Sequence, residues 1–205
     1  GFSVFNNQAG LAHITGISAG IYAENRFLID GLNQMGAAVA LPTNSGTFGL
    51  GLSYFGNAAF NKQLINLCYG RMLFDKLAIG AEFDFINVAI PDYGAKSAFT
   101  FGLGIQFNMT EKIVLAAHVF NPLRWQLTTF EEDQLATIMK FGAAYYPSDK
   151  LTIVVETEKN LAQKAMFKAG IEYQLVKQLY LRGGMTSNPT ISTFGVGVHL
   201  GALNI

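Results

Sequence analysis

The sequence predicts an all-β fold, a transmembrane antiparallel up-and-down β-barrel of about twelve strands. Three observations carry this. A two-residue hydrophobic period returns along the whole chain, the polar face is built of small residues in place of charges, and the connections alternate between short and long. Half of the 205 residues are hydrophobic and only 14% are charged, against about 25% charged in ordinary soluble domains. The question the composition poses is which solvent the apolar face meets.

The period is clearest from Phe99 to Asn108. Phe99, Phe101, Leu103, Ile105 and Phe107 share one face, and Thr100, Gly102, Gly104, Gln106 and Asn108 the other. Strict alternation over this length is a strand with one apolar and one polar side. The pattern recurs in Leu77–Asn87, where Leu77, Ile79, Ala81, Phe83 and Phe85 oppose Gly80, Glu82 and Asp84. It returns in Thr47–Phe55, in Ala165–Gln174 and again around Phe194–Leu200. The segments are 13–24, 34–43, 46–56, 62–73, 76–88, 97–109, 112–121, 135–147, 150–158, 164–175, 178–187 and 190–201. Each has roughly the 9–11 residues a tilted membrane-crossing strand needs. The one helical turn expected lies near Asn7–Leu11. The longest uncharged stretch is broken by Pro42-Thr43-Asn44-Ser45-Gly46, which excludes a transmembrane helix there.

Connection lengths are independent of the period. Tight turns sit at Thr43-Asn44-Ser45, Phe74-Asp75, Met109-Thr110-Glu111, Pro147-Ser148-Asp149 and Val176-Lys177. Most carry the Asn, Asp, Ser or Pro that tight turns use. Longer loops alternate with them, at 24–33, 90–96, 121–134 and 159–163. Short turns at one end and long loops at the other is the habit of bacterial outer-membrane barrels.

A soluble sandwich also alternates, but its outer face is charged. Here the polar face is mainly Gly, Ser, Thr and Asn, and one water-excluding core would have to hold most of 17 Phe. Facing the Phe side to lipid removes the difficulty and leaves small residues inside. Aromatic girdles at the two interfaces are expected from Tyr22, Tyr54, Phe55, Phe74, Phe107, Trp125, Tyr145, Tyr146, Tyr173 and Tyr180. The few charges on strands are expected in the lumen as a mixed-sign network of Glu82, Asp84, Lys140, Glu156, Glu158, Lys168, Glu172 and Arg182. Pairing Tyr146 with Lys150 would set Lys140 opposite Glu156, and the next hairpin would set Glu172 opposite Arg182 and Lys168 opposite Thr186. Such ladders stabilise a barrel interior; a selectivity path for a polar solute is the functional alternative.

The chemistry of enzymes is missing from the pattern. No phosphate-binding glycine loop sits between a strand and a helix, and the glycines of Gly49-Leu50-Gly51 fall inside a strand. The three histidines, His13, His118 and His199, are far apart, with His118 and His199 expected in the lumen. The single Cys68 excludes an internal disulfide. No catalytic residue, metal or cofactor is expected. With a formal net charge of zero, composition gives no hint of the basic face a nucleic-acid partner needs, and none is expected. The longest loop carries Trp125, Phe130, Glu131, Glu132 and Asp133, the expected partner surface or lid.

Phe5-Asn6-Asn7-Gln8-Ala9-Gly10-Leu11-Ala12 resembles the asparagine-proline-alanine-glycine-leucine stretch of FadL-type outer-membrane β-barrels. Further stretches resemble the PorV-like Bacteroidota branch of that superfamily: Tyr22-Ala23-Glu24-Asn25-Arg26-Phe27, Leu41-Pro42-Thr43, Gly46-Thr47-Phe48-Gly49-Leu50-Gly51, Ala169-Gly170-Ile171-Glu172-Tyr173 and Leu179-Tyr180-Leu181-Arg182. Gln8 stands where the family has proline. The resemblance implies one barrel domain over residues 1–205, with residues 1–12 as a lumen or plug segment and fourteen strands once residues beyond both ends are counted. It implies an accessory or interaction role in type IX secretion or envelope assembly, with other outer-membrane or secretion proteins as partners, or a passive channel for small or hydrophobic solutes.

Extraction is the first check on this reading. The chain is expected in the membrane fraction, soluble only with detergent or lipid; a stable monomer in detergent-free buffer is the outcome that a soluble β protein would give.

Overall fold

The computed structural model describes residues 2–25, 33–57, 59–90, 94–124, 135–200 and 203–204. Among them are twelve antiparallel strands of eight residues or more and a two-residue thirteenth, in chain order. They are β1 (Ser18–Asn25), β2 (Asn33–Thr43), β3 (Gly46–Gly56), β4 (Asn61–Phe74), β5 (Leu77–Ile90), β6 (Gly94–Asn108), β7 (Ile113–Phe120), β8 (Ile138–Ser148), β9 (Leu151–Asn160), β10 (Met166–Val176), β11 (Leu179–Thr186), β12 (Ile191–Leu200) and β13 (Leu203–Asn204). Each expected segment overlaps one of β1–β12. Two segments begin distinctly later than expected: residues 13–17 and 135–137 are not strand, and β1 and β8 begin at Ser18 and Ile138. The expected helical turn is a 3-10 turn at Gln8–His13, and a second one occupies Phe2–Phe5.

The chain divides into two compact units. The first comprises Gly1–Gln106 with His118–Thr137, and the second Phe107–Ala117 with Ile138–Ile205.

In the first unit the alternation read from sequence becomes an alternation of burial. Phe48, Leu50, Leu52 and Tyr54 of β3 are exposed, while Thr47, Gly49 and Gly51 between them are buried. On β5, Phe83 is 47% exposed whereas its neighbours Glu82 and Asp84 are 6% and 0% exposed. The large apolar side chains therefore point away from the packed interior, strand after strand. Soluble monomers rarely expose a contiguous apolar patch beyond about 300–600 Å², so such a wall suits hydrocarbon and not water.

The buried side is covered by the N-terminal segment. Val4, Gln8, Ala9 and Leu11 are fully buried, and Val4 and Leu11 form a small core with Ala38, Ala40 and Cys68. The segment comes this close because the strand positions beneath it are glycine. A Cβ on Gly80 would lie 2.2 Å from the backbone nitrogen of Ala9, and one on Gly70 2.4 Å from the carbonyl oxygen of Gln8. Asn7 caps the second turn, its Oδ1 accepting from the Ala9 amide at 3.0 Å.

The second unit follows the same alternation. Phe167, Ile171 and Tyr173 of β10 are exposed, and Lys168, Gly170 and Glu172 lie on the opposite face, half-buried. The β10–β11 register is the expected one, with Glu172 opposite Arg182 and Lys168 opposite Thr186. The β8–β9 register is not. Lys140 faces Glu158, and Glu156 faces Gly142. The pairing shifts between Tyr145 and Ser148, where Pro147 has no amide hydrogen to give the ladder.

Replacing Gly80 with Ala is expected to destabilise the protein by about 1–3 kcal/mol through overpacking and to free the N-terminal segment for protease cleavage. Gly16→Ala, where a Cβ meets nothing within 4 Å, is the matched control; equal protease resistance of both variants would reject the packing account.

Candidate functional site

The polar residues of the first unit gather under the N-terminal segment. The Gln8 amide nitrogen donates to the carbonyl of Val4 at 3.0 Å and to Glu82 Oε2 at 2.5 Å. The other carboxylate oxygen, Glu82 Oε1, lies 3.1 Å from His118 Nε2 on β7. Glu82 thereby joins the N-terminal segment, β5 and β7 through one buried carboxylate. Gly102 on β6 leaves room for it, since a Cβ there would lie 2.3 Å from Oε1. Two residues further along β5, Asp84 accepts a hydrogen bond from the Asn66 amide on β4. Asn7 reaches the other way, its Nδ2 donating to the Ile105 carbonyl at 3.3 Å.

A second buried polar knot forms at Asn121. Its backbone takes φ +51°, in the left-handed region that Asn tolerates. Its Nδ2 donates to the Leu135 carbonyl at 2.8 Å and its Oδ1 accepts from Thr100 at 3.0 Å. Thr137 donates to its carbonyl at 2.8 Å. The knot ties the two ends of the 122–134 connection to β6 and β7. The five residues expected as a partner loop or lid, Trp125, Phe130, Glu131, Glu132 and Asp133, lie outside the described residues.

In the second unit, Lys168 is held between Glu156 at 2.8 Å and Glu158 at 2.6 Å. Lys140 stands 4.0 Å from Glu158. Arg182 Nε donates to Glu172 at 2.6 Å, and its guanidinium covers Gly197, where a Cβ would lie 2.9 Å away. The Gln174 amide donates to the Tyr180 hydroxyl at 2.9 Å on the same face. Of the eight charged residues expected in one network, Lys140, Glu156, Glu158 and Lys168 are clustered and Glu172 and Arg182 are paired. Glu82 and Asp84 belong to the first unit and are engaged by Gln8, His118 and Asn66.

Three aromatics expected in the girdles sit on the other face. Tyr22 lies over Gly36 and bonds to Gln34 and Ser53, Phe55 packs against Phe60, and Tyr180 bonds to Gln174. Their strand parity matches the small residues, and parity decides the face whatever the residue type. Tyr54, Phe74, Phe107, Tyr145 and Tyr173 are exposed on the apolar side, and Tyr146, also exposed, lies in the irregular end of the β8–β9 ladder. Sequence reasoning also missed Gln8, Asn66 and Asn121. The legible signal for Asn66 was its parity: it is polar on the Gly70 and Cys68 side of β4.

No family model and no curated protein sequence matches the chain. Solved structures do. The Pseudomonas putida toluene transporter TodX aligns with a TM-score of 0.69 over 98% of this chain and 84% of its own, at 10% identity. A Pseudomonas aeruginosa FadL homologue gives 0.68, over 98% and 82%, at 11% identity. The KdgM porin gives 0.56, over 90% and 99%, at 15% identity. The chain has the fold of outer-membrane β-barrels. At these identities the likeness is one of fold, and it includes FadL-type barrels.

Glu82→Leu leaves Gln8 and His118 facing each other without their shared acceptor. It is expected to cost about 3 kcal/mol in denaturant unfolding of the detergent-solubilised protein. Arg182→Ala, which breaks a half-exposed pair, is expected to cost under about 1 kcal/mol; the reverse ranking would show that the buried carboxylate does not organise this unit.

Proposed function

We propose that the chain is a channel of the bacterial outer membrane that passes small, largely apolar solutes, with the bilayer as its surroundings and residues 2–13 as a plug seated on the small-residue face. The observation that carries this is the pairing of two faces: a Phe- and Leu-rich exposed wall and an inner side of Gly, Ala and polar groups. Among the latter, Gln8, Glu82, His118, Asn66 and Asp84 are joined by hydrogen bonds, while Gln8 Oε1, Asp84 Oδ2 and His118 Nδ1 are left without a partner among the described residues. The neighbours support the same reading, since they include a toluene transporter and a monoaromatic hydrocarbon channel. A pore face with few unpaired charges imposes little electrostatic selection. On this reading the ion pairs of Lys140, Lys168 and Arg182 brace the lumen wall and do not bind solute. The single domain over residues 1–205 and the absence of an enzymatic role belong to the same proposal.

A second reading has one observation in its favour. Val4, Gln8, Ala9 and Leu11 are packed to zero exposure, which suits a sealed barrel that serves as a PorV-like accessory in secretion or envelope assembly. Its docking surface would then be the loops, the 125–133 segment among them.

Uptake separates the two. Expressed in a bacterium whose outer membrane excludes apolar probes, the chain is expected to accelerate entry of a small fluorescent aromatic compound several-fold over empty vector. Folded protein in the outer membrane with no gain in uptake, together with a stoichiometric companion on purification, would replace the channel by the accessory role.

A further inference from the structure

The exposed wall of the second unit is not uniform. On its apolar face Phe141 of β8, Thr157 of β9 and Phe167 of β10 stand side by side in the ladder. One pleat along the strands, Ala143, Val155 and Ala169 form the next row, which ends at Met185 of β11. Phe141, Phe167 and Met185 stand proud, at 59%, 60% and 56% exposure, and the alanines between them are cut short. The result is a groove of about 550 Å³ bounded by these side chains, within the ~300–1,000 Å³ range of small-molecule sites.

The chemistry of the groove changes along its length. Its lining is mainly apolar, although Gly142, Glu156, Lys168 and Thr186, of the opposite parity, border it too. At one end Thr157 puts a hydroxyl between two phenyl rings, and Ser187 and Thr190 line the same end. Two residues past Thr157 on the same side of β9 comes Lys159, and Lys164 follows in the β9–β10 turn. Lys159 donates to the Gln163 carbonyl, which leaves two of its three ammonium hydrogens for another acceptor. This end carries the longer connections, 161–165 and 187–190, whereas the two-residue turns of β8–β9 and β10–β11 are at the other. An apolar trough that ends in hydroxyls and two cations at the rim matches the profile of one anionic lipid: acyl chain below, phosphate above.

We propose that this groove is a binding site for a single phosphate-bearing anionic lipid, its acyl chain lying between Phe141, Phe167 and Met185 and its phosphate held by Lys159 and Lys164. The inference rests on the outer-membrane reading above, because it takes the exposed face as lipid-facing. The lipid seated here is distinct from bulk annular lipid in having a fixed slot and a charged anchor. It would fasten the β8–β11 wall from its outer face, whereas the ion pairs of Lys140, Lys168 and Arg182 brace it from the other.

The test is native mass spectrometry of the purified full chain in non-ionic detergent, titrated with phosphatidylglycerol or phosphatidylcholine. One phosphatidylglycerol is expected to remain bound per chain, with phosphatidylcholine held more weakly. Lys159→Gln with Lys164→Gln is expected to weaken phosphatidylglycerol binding roughly thirtyfold. Ala143→Phe with Ala169→Phe, which fills the trough and keeps the charges, is expected to abolish the one-to-one species. Equal retention by the wild type and both variants, or equal retention of the two lipids, would overturn the proposal. Insertion of each protein into phosphatidylcholine vesicles, read as protection from added protease, is scored in parallel. Proteins that insert but show no lipid selectivity defeat the groove alone, and a wild type that fails to insert defeats the membrane reading and the groove with it.

Discussion

One constraint governs the rest of the structure: a backbone that meets hydrocarbon must find all its hydrogen-bond partners within the protein. In a bilayer an unpaired amide or carbonyl costs several kcal/mol, so strands survive only where each has neighbours along its length. The ladders here are long and continuous, eleven paired residues for β2 with β3 and eight for β1 with β2. Where the ladder falters, at Tyr145–Ser148 or Gln174–Val176, it does so at the tight turns. With each strand paired to its neighbours in chain order, the two faces of the sheet are free to serve different solvents. One is given to Phe, Leu and Ile, the other to glycine and to polar groups, Gln8, Glu82, His118, Asn66 and Asp84 among them, that are joined by hydrogen bonds.

The glycines of the inner face follow from that division. A sheet lined by larger residues would hold the N-terminal segment several ångströms away. With Gly49, Gly51, Gly70, Gly80 and Gly104 beneath it, the segment lies directly on backbone. Close approach then makes the buried polar groups safe. Glu82 would be an expensive lone charge under an apolar lid, but Gln8 and His118 both reach it. The glycine pattern and the carboxylate are thus two parts of one arrangement. Gln8 supplies the side-chain amide that ties the segment to that carboxylate.

The second unit solves the same problem with charge instead of cover. Lys168 lies between two glutamates, and Arg182 stretches over glycine to reach Glu172. These groups are partly exposed, so solvent screens them and each pair contributes little by itself. Their value lies in register: a slip by one residue would carry lysines and glutamates onto the apolar wall.

Strand number, approximate strand ends and the facing of nearly every side chain were legible in the sequence, because a period of two is a local property and parity alone assigns a face. The β10–β11 register was legible for the same reason, because its shift, between Gln174 and Val176, is confined to the turn and leaves Lys168–Gln174 paired in one register. The β8–β9 register was not, because Pro147 interrupts the ladder and the count across that turn is set by how the backbone recovers, a matter of three-dimensional geometry. The girdle assignment failed at Tyr22, Phe55 and Tyr180 where residue type was allowed to outvote parity. Only the tertiary structure brings Gln8, Glu82 and His118 together, for they are separated by 74 and 36 positions and no local rule relates them. The outer groove belongs to the same class: alanines on alternate strands are unremarkable singly, and become a trough only when the ladder sets them side by side.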